Sequence, residues 1–251
     1  MNGESNNIPK IIFLLLSFTL VSYTNAQDFT LNANADFVSR YIWRGLNVND
    51  QPNIQPSITL NYSGFKLGFW GSYGLTHQNP SDEYYSTSQE IDTWLSYTLE
   101  FNDGIKISAL FTDYYYPNSG KKIGNFNNYD NVNGPGAHTI EAGLSFMGPA
   151  SFPLSLIGYV NIYNDKGNNI YFQADYSIDL NEVALGFFVG SALGSEQNPS
   201  YYGTDKFNVI NVGIKASKQI KITEDFSVPV FCSYILNPQA EISYLIFGIT
   251  L

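Results

Sequence analysis

The chain has 251 residues, enough for one compact unit that encloses a core or a lumen. Only 14% of residues are charged, against about a quarter in soluble domains, while 16% are aromatic. A formal net charge of −10 argues against a nucleic-acid surface, and a single cysteine, Cys232, excludes an internal disulfide.

In chain order, the first 26 residues read as a secretory signal peptide. Lys10 is followed by the apolar run IIFLLLSFTLV, then by SYTNA with small residues at Thr24 and Ala26. Cleavage is expected after Ala26, leaving 27–251 as the mature unit. The apolar run is too short to span a bilayer as a helix, which takes about 20 residues, and no later segment is longer.

Beyond Gln27 the pattern has period two. In NIYFQADYSIDL, Ile170, Phe172, Ala174, Tyr176, Ile178 and Leu180 share one face, and Tyr171, Gln173, Asp175, Ser177 and Asp179 share the other. EIDTWLSYTLEF divides the same way, with Asp92 and Trp94 on the polar side, and so does TIEAGLSF, with Glu141 on the polar side. Twelve such runs are counted, centred on Phe37, Ile58, Phe69, Leu95, Ile107, Leu144, Leu156, Ala174, Phe187, Val212, Val230 and Phe247. Runs of about ten residues match the length of a tilted transmembrane strand.

The links between runs alternate in length. LNVNDQPN, THQNPSDEYYST, PNSGKKIGNFNNYDNVNGPG, NDKGN and GSEQNPSYYGTD are mostly long and polar, with a short NPQ last. YSGF, FNDG, MGPASFP, DLNEV and ITEDF are tight. Long loops at one end and short turns at the other are the layout of an outer-membrane barrel. Phe65, Phe101, Phe146, Phe152 and Phe226 gather near the tight turns. Tyr84, Tyr85, Tyr114, Tyr115, Tyr116, Tyr201 and Tyr202 gather near the long loops, as two interfacial belts would. The expected fold is therefore all-β: a closed antiparallel transmembrane barrel of about twelve strands. A soluble sandwich or lipocalin-like barrel, with the apolar faces turned inward, is the competing fold.

The segment DFVSRYIWRGLNVNDQPNIQPSITLNYSGFKLGFWGSYG resembles the start of the TorF-type porin family of outer-membrane barrels, with Arg44 and Gly45 at its Arg-Gly signature; EIDTWLSY is also similar. The resemblance implies a barrel and a pore, without naming a solute. The last strand, EISYLIFGITL, resembles the C-terminal signal by which barrel-assembly machinery recognises its clients, with Leu251 in place of the usual terminal aromatic.

Arg40 and Arg44 are the only arginines in the chain. On one continuous strand they would lie about 13 Å apart on the polar face with Asp36, both turned into the lumen. The expected partners are Asp92, Glu100, Glu141, Asp175 and Asp179, through salt bridges that fix register or through a cationic ladder that orients solutes. The pore-lining candidates are Asp36, Arg40, Arg44, Asp92, Trp94, Glu141 and Asp175, with Trp70 and Tyr159 narrowing the passage.

Catalysis is not expected. The only histidines are His77 and His138, and a triad of His138, Glu141 and Ser145 would set two members in the lumen. No ligand spacing for a metal is present, and no cofactor is expected. The long polar loop from Pro117 to Gly136 is a candidate for surface binding or for an inward plug. The expected partners are outer-membrane lipid and small polar solutes or ions, and the acidic excess predicts a mild preference for cations in a passive porin-like pore. The alternative is a non-conducting outer-membrane barrel with a binding or structural role.

Overall fold

The computed structural model describes residues 29–76, 88–129 and 132–251. The signal peptide, His77, Tyr84 and Tyr85 lie outside the described residues. The strands are β1 (Thr30–Val38), β2 (Tyr41–Trp43), β3 (Leu46–Asn49), β4 (Asn53–Tyr62), β5 (Phe65–Gly74), β6 (Gln89–Glu100) and β7 (Lys106–Tyr115). They continue as β8 (His138–Met147), β9 (Leu154–Tyr163), β10 (Ile170–Leu180), β11 (Val183–Leu193), β12 (Phe207–Lys221), β13 (Ser227–Asn237) and β14 (Ile242–Thr250).

All of these except β2 and β3 form one closed antiparallel barrel of twelve strands in sequence order. Each of the twelve sequence-derived strand centres falls on a barrel strand, because a half-polar ladder of period two has one way to lie in a wall. Closure is made where β1 meets β14: Asp36 pairs with Thr250, Phe37 with Ile249 and Val38 with Gly248. Ala35 and Leu251 extend the seam by exchanging both backbone hydrogen bonds, at 2.9 and 3.0 Å. No helix among the described residues is long and apolar enough to cross a membrane, and the short 3-10 turn Pro117–Ser119 is the helical element they contain.

The apolar faces point outward. Leu67, Phe69, Leu95, Phe111, Leu144, Phe172, Phe187, Leu245 and Phe247 are exposed around the wall, and Phe65, Phe101, Phe152 and Phe226 are exposed near the tight turns. A soluble barrel would bury that face, so the lipocalin-like alternative does not describe this chain. The polar faces line the interior, where Gln55, Ser72, Glu90, Glu141, Asn161 and Asn211 are buried. The interior beside the seam is apolar: Val38, Ile235, Tyr244 and Ile246 cluster there with Ile42, Phe188 and Phe231.

Inward aromatics lie against glycines on neighbouring strands. Trp94 faces Gly68, Tyr159 faces Gly143, Phe188 faces Gly213 and Phe231 faces Gly248 as direct cross-strand partners. A Cβ on any of these glycines would come within 2.0–2.4 Å of the facing ring. The missing side chain lets each ring lie flat on the wall, where aromatic contact replaces the packing that glycine lacks. The rings thereby thicken the wall without crossing the lumen.

One expectation fails here. The strand drawn through Arg40 and Arg44 ends at Val38, and β4 pairs with β1 from Val38↔Asn53 onward. Ser39 still donates to the Phe247 carbonyl at 2.9 Å and the Pro52 carbonyl accepts from Leu75 at 2.8 Å, so residues 40–51 are the ones that leave the wall. They fold into the barrel as a separate hairpin of β2 and β3, because Tyr41, Ile42 and Trp43 find apolar partners inside: Ile42 joins the seam cluster, and Tyr41 meets Trp70 with ring centroids 5.4 Å apart.

Candidate functional site

The hairpin turns at Trp43-Arg44-Gly45-Leu46. Arg44 and Gly45 both have positive φ, 50° and 79°, the backbone that a two-residue β-turn needs to match strand twist. Gly45 is also fixed by space. A Cβ there would lie 1.9 Å from the Ile210 carbonyl oxygen, so the turn presses its backbone against β12. The Asn237 side chain donates to the Gly45 carbonyl at 3.1 Å from β13. At the base, Asn49 donates to Asn53 at 3.0 Å and Ser72 to Asn53 at 3.3 Å. Gly45 is therefore a structural requirement, since it meets both the left-handed turn and the close contact.

From that turn Arg44 reaches Glu141 on β8. Its two terminal nitrogens donate to the two carboxylate oxygens at 2.6 and 2.7 Å, a forked pair. Nη1 also donates to the Tyr202 hydroxyl at 2.6 Å, and the Tyr114 hydroxyl donates to Glu141 at 3.0 Å. The side chain of Glu141 is 1% exposed and that of Arg44 10%. The guanidinium carbon sits 4.4 Å from the ring centres of Trp43 and Tyr159 and 4.6 Å from that of Tyr171. Trp43 in turn stacks on Tyr202 at 5.7 Å. A charge that would be costly in a dry interior is thus matched by one carboxylate and enclosed by ring faces.

The other candidates divide. Arg40 does not look down the lumen from β1: it follows the strand end and pairs with Asp50 at 3.0 Å, across the base of the hairpin. Asp36 stays on the inward face and accepts from the Thr250 hydroxyl at 2.6 Å, across the seam. Asp175 accepts from Gln173 at 2.8 Å. Asp92 and Trp94 line a cavity that the hairpin borders. Of the expected partners for the arginines, Arg44 takes Glu141, while Glu100 pairs with Lys106 at 3.2 Å.

Two cavities border the hairpin, and Trp43, Arg44 and Tyr159 line both. One, of about 350 Å³, extends toward Tyr171, Gln173 and Asn211. The other, of about 480 Å³, is lined by Tyr41, Trp43, Trp70, Asp92, Trp94 and Tyr114 among others. The lumen is narrowed without being filled.

Two loop expectations are corrected. Tyr114, Tyr201 and Tyr202 do not form a belt on the outer wall. Tyr114 and Tyr202 are buried, Trp43 packs edge-on against Tyr114 and Tyr201, and the loop carrying Tyr201 and Tyr202 folds back over the hairpin. The inward plug is the hairpin, not the Pro117–Gly136 loop, whose described residues are tied to the rim of β8 and β9. Phe126 stacks on His138 at 4.0 Å, Tyr163 donates to the Phe126 carbonyl, and Asn164 donates to the His138 carbonyl at 2.8 Å.

His138 is not joined to Glu141 and Ser145. Its Nδ1 meets Asp113 at 2.8 Å and its Nε2 meets the Ile123 carbonyl at 2.7 Å, on the opposite face of β8 from Glu141. No cluster of His, Cys, Asp and Glu able to hold a metal ion occurs among the described residues.

At the loop end, Asp165 accepts from the side chains of Asn161 and Asn198, each at 2.8 Å, and from the side chain and backbone of Asn169. Burial alone would push this carboxyl up, but the donors from Asn161, Asn198 and Asn169 outweigh it and hold it below the usual range.

Residues 23–227 match the family Gcw_chp, described as a bacterial protein of unknown function, and the chain belongs to that family. No curated protein matches it. Solved structures similar to it include OprB of Pseudomonas putida at high pH, at 13% identity and a TM-score of 0.33, over 79% of this chain. The chain spans 58% of that protein's length.

Proposed function

We propose that this member of the Gcw_chp family is an outer-membrane barrel of the TorF type in a Gram-negative bacterium, serving as a narrow passive channel for ions and small polar solutes with a mild preference for cations. The observation that carries this reading is the inward hairpin, which constricts a twelve-stranded lumen and leaves cavities of about 350 and 480 Å³ against it. Such a barrel is wider than the eight-stranded kind that side chains fill and narrower than an open sixteen-stranded one. The apolar outer wall suits lipid, and closure pairs the backbone groups that lipid could not satisfy. The outward row of Leu245, Phe247, Ile249 and Leu251 suits recognition by barrel-assembly machinery. Inward carboxylates at Asp36, Glu90, Asp92, Glu141 and Asp175 face one inward arginine, Arg44, with Lys66, Lys106 and Lys215 nearer the tight turns, which supports cation preference.

The test is single-channel conductance of the refolded mature protein in a planar bilayer, beside a variant with residues 41–49 replaced by a short Gly/Ser link. Small steps from the wild type and larger ones from the variant are expected. Folded protein that stays silent in both forms overturns the reading. Silence from the wild type alone supports a second one, a barrel held shut, for which the forked Arg44–Glu141 pair is the specific observation.

A further inference from the structure

The lumen toward the long-loop end holds carboxyl oxygens that the protein itself leaves without hydrogen-bond partners. Asp92 lies at one level of the wall between Trp70 on β5 and Tyr114 on β7, its direct cross-strand partners. Its Oδ1 is inaccessible to solvent and has no hydrogen-bond partner among the described residues. Two residues along the same inward face, Glu90 is 3% exposed; one of its oxygens accepts from the Tyr116 hydroxyl at 3.1 Å and the other has no partner there. The nearest cation, Arg44, lines the same cavity, but its charge is already matched by the forked bond to Glu141. Buried carboxylate oxygens without donors are unfavourable, so a site of this kind gains by admitting a group that brings both positive charge and N–H bonds.

The rest of the cavity selects among cations. Trp43, Trp70 and Trp94, the three tryptophans of the chain, all line it, with Tyr41, Tyr114 and Tyr159 completing an aromatic enclosure. Indole is the best ring face for a cation. A calcium or magnesium ion would need six or more oxygen ligands and a zinc ion about four nitrogen, sulfur or oxygen ligands, and no group of His, Cys, Asp and Glu that could hold a metal is gathered among the described residues. The volume of about 480 Å³ falls in the range of small-molecule pockets.

We infer that this cavity is a binding site for a small primary ammonium solute, its nitrogen donating to the Asp92 carboxylate where that group borders the cavity and its stem lying among the indole rings. The inference deepens the channel reading and rests on it for the route by which solute reaches the site, but binding does not require conduction. Because all three tryptophans border the site, their emission reports occupancy directly.

The experiment is a tryptophan-fluorescence titration of refolded wild-type protein in detergent with propylammonium chloride, beside 1-propanol and potassium chloride. A saturable change with propylammonium, absent with the neutral alcohol and the inorganic salt, is expected. Asp92→Asn, checked for folding by heat-modifiable gel mobility, is expected to weaken the response at least tenfold, with Asp92→Glu restoring part of it. No saturable change, an equal response to 1-propanol, or undiminished binding by folded Asp92→Asn overturns the inference. The wild-type comparison of ammonium with alcohol decides the matter even where Asp92→Asn does not fold. A protein that binds propylammonium yet carries no current would overturn the channel alone.

Discussion

Removing either end of the Arg44–Glu141 pair is predicted to destabilise the docked hairpin far more than removing both. Arg44→Met leaves the Glu141 carboxylate, 1% exposed, with only the Tyr114 donor at 3.0 Å. Glu141→Leu leaves a guanidinium enclosed by three rings with the Tyr202 oxygen as its acceptor. Breaking a buried pair from one side costs about 3–5 kcal/mol, whereas exchanging both members for apolar groups of similar size is often close to neutral. Ring contacts from Trp43, Tyr159 and Tyr171 remain available to Met, so the double variant should regain most of the loss. The expected coupling is at least about 2 kcal/mol, against the ~0.5 kcal/mol within which independent sites add. The assay is a double-mutant cycle by urea titration of the refolded protein in detergent, followed by tryptophan emission, to which Trp43 on the hairpin contributes. Hydrogen exchange of residues 41–49 separates release of the hairpin from unfolding of the wall. Additive single effects, or a double variant as damaged as the worse single, would refute the claim that the pair holds the hairpin by mutual neutralisation.

Gly45→Ala is expected to withdraw the hairpin from its seat, since the new Cβ would lie 1.9 Å from the Ile210 carbonyl at a φ of 79°; conductance should rise several-fold with the heat-modifiable shift retained, and unchanged conductance would count against the hairpin as the constriction. Gly143→Ala, whose Cβ would meet the Tyr159 ring at 2.4 Å, should lower stability by about 1–3 kcal/mol, while Gly186→Ala, with nothing nearer than 4.0 Å, should stay within about 0.5; equal urea midpoints would refute the ring-on-glycine packing. Asp165 titrates below its unfolded value of about 3.9, so its contribution is complete above that value and is lost as pH falls through the lowered one. Proteolysis of the 164–169 loop should therefore stay constant down to about pH 4 and rise only below it, and Asp165→Asn should open the loop at every pH. Reversal potentials across a potassium chloride gradient should favour potassium modestly, and an anion preference would refute the role given to the inward carboxylates.

How much of this was legible in the sequence follows from the range of the forces involved. Strand positions, the outward turn of Phe172 and Leu144, the inward turn of Asp92, Glu141 and Asp175, and the alternation of loop lengths all come from period two and from turn residues, which act over a few positions. They could be read in order along the chain. The segment 40–51 could not be read by the same rule, because LNV alternates as a wall strand does and YIW is a short β-branched and aromatic run that suits a strand equally well. The local sign of its departure was present all the same: Arg44-Gly45 between two short apolar runs is a two-residue hairpin, since Gly supplies positive φ at the second turn position.

What no local rule could supply is the direction in which that hairpin turns. It goes inward because β4 takes the place beside β1, because Ile42 meets the seam cluster and Trp43 meets Tyr202, and because Glu141 waits 97 residues away on the opposite wall. Tyr202 makes the same point from the other side, as a loop residue whose burial depends on a hairpin 158 positions earlier. The sequence by itself determined a closed wall with an apolar outside and a polar inside, since alternation is imposed residue by residue. Only the tertiary structure decided which polar groups inside would be matched and which, like Asp92, would face an aromatic cavity, since pairing across a lumen depends on the relative heights of strands far apart in the chain.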